Sequence, residues 1–133
     1  MEGGTVNVAF SSTDTRVLKK TIAQVYNRIN QEFYATGVVS QRINVFSDRI
    51  IIFAQHKRIP AFTALSKNFK ELTTYADAAL ISEFKSKLKQ EIEEVTGHRA
   101  ISVLKDYDTV TEHACCVVIF DKENSPIDVP VRE

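Results

Sequence analysis

The residues best suited to chemistry stand together late in the chain, in the run HACCVVIF over residues 113–120. A histidine and two cysteines are the donor types of a zinc site, or of a thiolate nucleophile next to an imidazole. The run is otherwise apolar and rich in β-branched residues, which predicts a strand. Successive side chains of a strand point to opposite faces. Cys115 then lies with Val117 and Ile119, Cys116 lies with Val118 and Phe120, and the two sulfurs diverge. His113 shares the face of Cys115, so one side offers two ligands. A structural zinc site takes four, and a catalytic one takes three plus water. His98 stands ahead of the preceding predicted strand, and nothing in the spacing brings it to either sulfur. Free cysteine packs as a small hydrophobe. The run therefore reads as a core strand, and no metal, cofactor or catalytic residue is expected.

Two other groupings carry charge. Asp106, Asp108 and Glu112 gather around one predicted turn, where carboxylates could hold a hard cation. No glycine stands where a calcium loop needs one, and turns are commonly acidic, so a solvated turn is expected. Gln55, His56, Lys57 and Arg58 form the most basic short stretch. With Pro60 starting a helix just beyond it, His56, Lys57 and Arg58 are the candidate anion or ligand contacts.

These groups must be positioned by elements that the apolar pattern locates. Leu18, Ile22, Val25, Ile29 and Phe33 recur at intervals of three and four, which predicts a helix over about 14–36. Ser12, Thr13 and Asp14 offer caps before it, and Gly37 a stop after it. Residues 40–46 and 49–55 read as a hairpin turning at Ser47 and Asp48. Ile50 to Phe53 are apolar on both faces, as in a central strand. From Ala61 to Val95 nearly every residue favours helix. An unbroken helix of that length would overrun a small sheet, so a break is expected near Ser66–Asn68 or near Thr73–Asp77. Thr96 and Gly97 end the element. Ile101 and Val103 are read as sharing one strand face, Asp106–Thr111 as a turn, and 112–120 as the returning strand. The order αββαββ predicts an α+β fold: a four-stranded, mostly antiparallel sheet with helices on one face. A single domain is expected over 13–121, with a loose arm or short strand over 1–12 and an extended tail over 122–133.

Bulk properties narrow the function. The chain has 133 residues, with 17 basic and 17 acidic side chains. A formal net charge of zero argues against nucleic acid, whose binders draw affinity from phosphate neutralisation. Vicinal cysteines build no disulfide framework, the start of the chain lacks a signal-peptide pattern, and no run reaches the roughly 20 apolar residues of a membrane span. A cytoplasmic protein without direct membrane insertion is expected.

The stretch from the first hairpin through residue 120 resembles small bacterial proteins similar to the MpsC component of the sodium-translocating membrane-potential-generating system, the MpsC-like domain. The shared layout is an N-terminal amphipathic helix, a hairpin, a long helix ending at Thr96-Gly97, the strand ISVLKD, the turn Asp106-Tyr107-Asp108 and the strand CCVVIF. The likeness covers about 15–121. Of the glycine-rich segment usual after the first helix in that family, ATGVVSQR keeps only Gly37. The resemblance implies a non-enzymatic accessory protein, linked in some members to membrane systems for ion or inorganic-carbon transport.

Three readings follow. The first is an accessory or interaction protein, forming a homodimer and meeting a membrane-protein partner, with Phe69, Leu72, Leu80 and Phe84 of the long helical stripe as its interface. The second is a small-molecule or anion sensor at Gln55–Arg58. The third is an enzyme using Cys115, Cys116, His98 or His113. The first is expected.

Overall fold

The first apolar stripe forms the helix it predicts. In the computed structural model, which describes residues 12–121 and their side chains from residue 15 onward, α1 spans Ser12–Tyr34. The cap side chains, the arm expected before Ser12 and the tail expected after Asp121 lie outside the described residues. Ile22, Val25, Tyr26 and Ile29 are buried along one side of α1. The helix ends earlier than Gly37 suggests, because Ala35 takes the left-handed conformation at φ 62°. Gly37 is required for space instead. A Cβ there would come within 2.8 Å of Asn27 Oδ1, the atom that accepts a hydrogen bond from the Val38 N–H.

The next two elements, β1 (Ser40–Val45) and β2 (Arg49–Gln55), pair as the expected hairpin. A six-residue helix, α2 (Pro60–Leu65), opens with proline at a position that needs no N–H donor. The predicted break follows at Ser66–Phe69. Ser66 Oγ donates to the Thr63 carbonyl at 2.8 Å, and Phe69 stands at φ −132° before the next helix starts. The chain runs helically through the other expected break, Thr73–Asp77, within α3 (Lys70–Thr96). Gly97 closes α3 at φ 71°, with its N–H on the Glu93 carbonyl.

Two final strands, β3 (Ala100–Tyr107) and β4 (His113–Phe120), complete a sheet of order β1-β2-β4-β3, antiparallel throughout. The fold is α+β. The apolar run of β2 sits centrally, as its two-sided character predicts. One face of the sheet carries Ile43, Ile50, Ile52, Ala54, Ala114, Cys116, Val118 and Phe120, all buried beneath the helices with Phe84, Leu88 and Ile92 of α3. Each large side chain buried there contributes roughly 1.5–3 kcal/mol. A register shift between Ala100 and Ser102 overturns the expected pairing of Ile101 with Val103 on one face. Val103 packs against the core, whereas Ile101 is 54% exposed.

At 1.5 Å per residue the 27 residues of α3 extend about 40 Å, well past the strands. Its buried apolar residues are confined to the second half. In the first half Leu72 and Tyr75 are exposed, while Thr73 is buried and Asp77 is tied to Arg58.

Candidate functional site

Where β2 ends, the chain turns inward. His56, one of the candidate anion or ligand contacts, is fully buried. Its N–H donates to the Glu112 carbonyl at 3.1 Å. Its ring stacks on Tyr107, with centroids 4.3 Å apart and planes 14° apart, and meets Tyr34 at 4.5 Å. The Tyr107 hydroxyl donates to the His56 carbonyl at 2.9 Å. Nδ1 lies 3.1 Å from the Lys57 carbonyl, an acceptor, so the proton of the neutral ring belongs on Nδ1. Burial lowers the imidazole pKa to about 4, against the opposing pull of that carbonyl. At neutral pH His56 is uncharged and packed between Tyr34 and Tyr107.

Its neighbours are also spoken for. The Arg58 guanidinium meets Asp77 of α3 at 2.6 Å, both side chains being largely buried, and the Arg58 N–H donates to Glu112 Oε2 at 2.9 Å. Lys57 points outward, with its amino group 3.8 Å from Glu112 Oε1. The expected basic patch is thus neutralised by Asp77 and Glu112. The same contacts dissolve the carboxylate cluster. Asp108 accepts from the N–H groups of Val110 and Thr111 within its own turn, Glu112 faces Arg58, and Asp106 accepts from the Tyr107 N–H. No group of three or more His, Cys, Asp and Glu suited to a metal occurs among the described residues.

Beyond Tyr34 lies a cationic residue that sequence reasoning passes over. Lys105 of β3 pairs with Cys116, so it points to the helix side of the sheet. Its amino group donates to the Tyr26 hydroxyl at 2.9 Å and sits 3.4 Å from the centroid of Phe84, with the Tyr26 and Tyr34 rings at 4.9 and 5.8 Å. The ring faces supply negative potential where no carboxylate is in contact among the described residues. Burial lowers the lysine to about 8. The alternation Val103, Lys105, Tyr107 carries the signal, since it puts the lysine on the face of two core residues. Cys116 is buried beside it with its thiol raised to about 12, chiefly by burial. A thiol so held is a poor nucleophile.

The expected interface residues divide. Phe84 is fully buried in the chain's own core, against Tyr26 at 5.0 Å and Phe33 at 5.9 Å, because that turn of α3 has come over the sheet. Leu80 packs at the margin of the core. Phe69, at the break before α3, and Leu72, in its first turn, are exposed, as are Leu65 at the end of α2 and Tyr75. They form an apolar row that no described element covers.

No helix among the described residues is long and apolar enough to cross a membrane. The model of the family described as "Na+-translocating membrane potential-generating system (MpsC)" matches residues 14–122. No curated protein and no solved structure matches.

Proposed function

The chain belongs to the MpsC family, and from that premise we propose that it is a non-enzymatic, cytoplasmic accessory component of a sodium-translocating membrane system, acting as a homodimer through protein contacts. The single observation that carries this reading is the exposed apolar group formed by Leu65 at the end of α2, Phe69 at the break, and Leu72 and Tyr75 in the first turns of α3. Large apolar side chains grouped and exposed on one surface mark a site of protein contact. In this reading the apolar group meets an integral membrane subunit of that system, while the aromatic cluster around His56 and Lys105 holds α1 and α3 to the sheet. A link to inorganic-carbon transport fits the same role, since both tasks need a peripheral subunit on a membrane complex.

The test is affinity purification of the tagged chain from gently solubilised cells, with mass spectrometry of what accompanies it. The reading expects a sodium-translocating membrane subunit with the wild type and its loss from Phe69→Ser/Leu72→Ser. Recovery of the chain without any membrane subunit, from both proteins, overturns it.

A further inference from the structure

The second face of the sheet, turned away from α1 and α3, is covered by no described element. Four rows of side chains cross it. Arg42, Phe53, Cys115 and Asp106 form one row through successive pairs. Asn44, Ile51, Val117 and Leu104 form the next. Ser40, Gln55 and His113 lie on one side of these, and Arg49, Ile119 and Ser102 on the other. The middle is apolar and accessible, with Phe53 43% and Leu104 54% exposed. Arg42 and Asp106 are exposed at opposite edges, and neither has an ion pair with a described residue.

We propose that this face seats a second copy of the chain, related by a two-fold axis parallel to the strands, so that Arg42 of each copy meets Asp106 of the other. The proposal rests on the self-association in the reading above and names its surface. The axis places β1 opposite the second copy's β3, and β2 opposite its β4. Phe53 then covers Cys115 and Ile51 covers Val117, while Gln55 comes opposite His113. Apolar side chains meet at the two central strands, Asn44 falls opposite Leu104, Arg49, which keeps its own partner Asp48, falls opposite Ile119, and opposite charges meet twice at the rim. A two-fold perpendicular to the strands does worse. It lays Asp106 on Leu104 and Arg42 on Asn44, leaving the carboxylate desolvated without a counter-charge. Charge therefore selects the axis.

The size is that of a weak dimer. Four strands about 4.8 Å apart, each about seven residues long, give a footprint of roughly 19 by 24 Å. Two footprints come to roughly 900 Å² before side-chain relief is counted, in the range of weak, transient interfaces. Facing sheets pack about 10 Å apart with strands within about 30°, a gap that an arginine and an aspartate span together. A dimer of this size depends on its rim charges and weakens as salt screens them.

The experiment is sedimentation equilibrium of the full chain from low to high micromolar concentration, for wild type, Arg42→Asp, Asp106→Arg and the double exchange. Both positions are exposed, and circular dichroism confirms that each variant is folded. The expected result is a wild-type dimer that salt weakens, single variants dissociating roughly tenfold or more readily, and recovery in the double exchange, which restores opposite charges across the axis. A monomeric wild type overturns the proposal and leaves the face to another occupant. A dimer indifferent to both reversals also overturns it and moves self-association to the α3 row. Single losses without recovery in the double exchange overturn the axis. None of these outcomes alters the co-purification test, so failure of the dimer and failure of the accessory reading are read separately.

Discussion

The His56 ring lies flat against Tyr107, and the Tyr107 hydroxyl donates back to the His56 carbonyl at 2.9 Å. One tyrosine thereby fixes both the side chain and the backbone of the residue at which β2 leaves the sheet. The arrangement holds an imidazole where it cannot easily take up a proton.

That burial makes stability depend on acid. The imidazole titrates near 6.5 when unfolded and at about 4 when folded. Between these values the unfolded chain binds more protons, so stability is complete above pH 6.5 and falls as pH drops towards 4. The loss is roughly 2–3 kcal/mol. His56→Phe keeps a ring against Tyr107 and removes the titration. Urea unfolding at pH 7 and pH 4.5 should show a smaller difference between the two pH values for the variant than for wild type. An unchanged difference would place the acid sensitivity elsewhere.

Lys105 carries the opposite end of the pH range. Its amino group titrates at about 8 when folded and near 10.5 when unfolded. Stability from this group is lowest below pH 8, where a charge is held in the core, and rises from pH 8 towards 10.5. Above pH 10 the trend is reversed by Tyr26, Tyr34 and Tyr107, whose hydroxyls burial holds above the usual tyrosine range. The useful window is therefore pH 7.5 to 9.5. Lys105→Met should flatten the rise there and raise stability at pH 7 by about 1 kcal/mol, because the desolvation penalty of the buried charge outweighs its attraction to the rings. Destabilisation at pH 7 would show that the Phe84 and Tyr26 contacts dominate.

The Arg58–Asp77 pair ties the loop after β2 to α3 across largely buried ground. Removing one partner strands the other charge, at a cost of about 3 kcal/mol for Asp77→Ala. Removing both should cost less than the sum of the single changes. The double-mutant cycle measured by chemical unfolding gives the coupling, and simple additivity would mean the pair is not closed in solution.

These residues also mark what the sequence discloses. Periodicity locates α1, both hairpins and the central place of β2, because each of those is a local pattern of apolar spacing, whereas the break before α3 is expected from helix length alone and stays open between two places. It places the sulfurs of Cys115 and Cys116 on opposite faces for the same reason. His56 escapes such reasoning because its burial comes from Tyr34 and Tyr107, which lie far off in the chain and meet only when the sheet closes. Arg58 looks free in the sequence because its partner sits on α3. Strict alternation puts Ile101 on the wrong face because one inserted residue resets the pattern, and no spacing rule announces a bulge. The end of α1 goes to Ala35 instead of Gly37 because the glycine serves contact with Asn27, not backbone conformation.

Gly37 and Gly97 should accordingly fail in different ways when changed to alanine. Gly97 stands at φ 71° with nothing within 4 Å of a Cβ, so Gly97→Ala carries only the backbone cost, about 1 kcal/mol. Gly97→Asn should recover much of it, since asparagine tolerates that conformation. At Gly37 asparagine should rescue nothing, because the obstacle is the Asn27 side chain. Thermal unfolding of the four variants separates the cases, and equal rescue at both sites would contradict the assignment.

The stripe that the sequence offers as one interface should behave as two. Phe84 touches Tyr26, Phe33 and Tyr34 and sits over the Lys105 amino group, so Phe84→Ala should cost roughly 3–5 kcal/mol of stability. It should also raise the Lys105 pKa by opening its cage to water. Phe69 and Leu72 are each 56% exposed, and changing either to serine should move stability by no more than about 0.5 kcal/mol. Docking to the proposed membrane subunit should respond in the reverse order for the folded protein, being lost with Phe69→Ser/Leu72→Ser and kept by Leu80→Met. Unfolding curves and co-purification on the same set of variants decide the matter. If the serine variants unfold as readily as Phe84→Ala, the first half of α3 is held by the chain itself, and the row is not a docking surface.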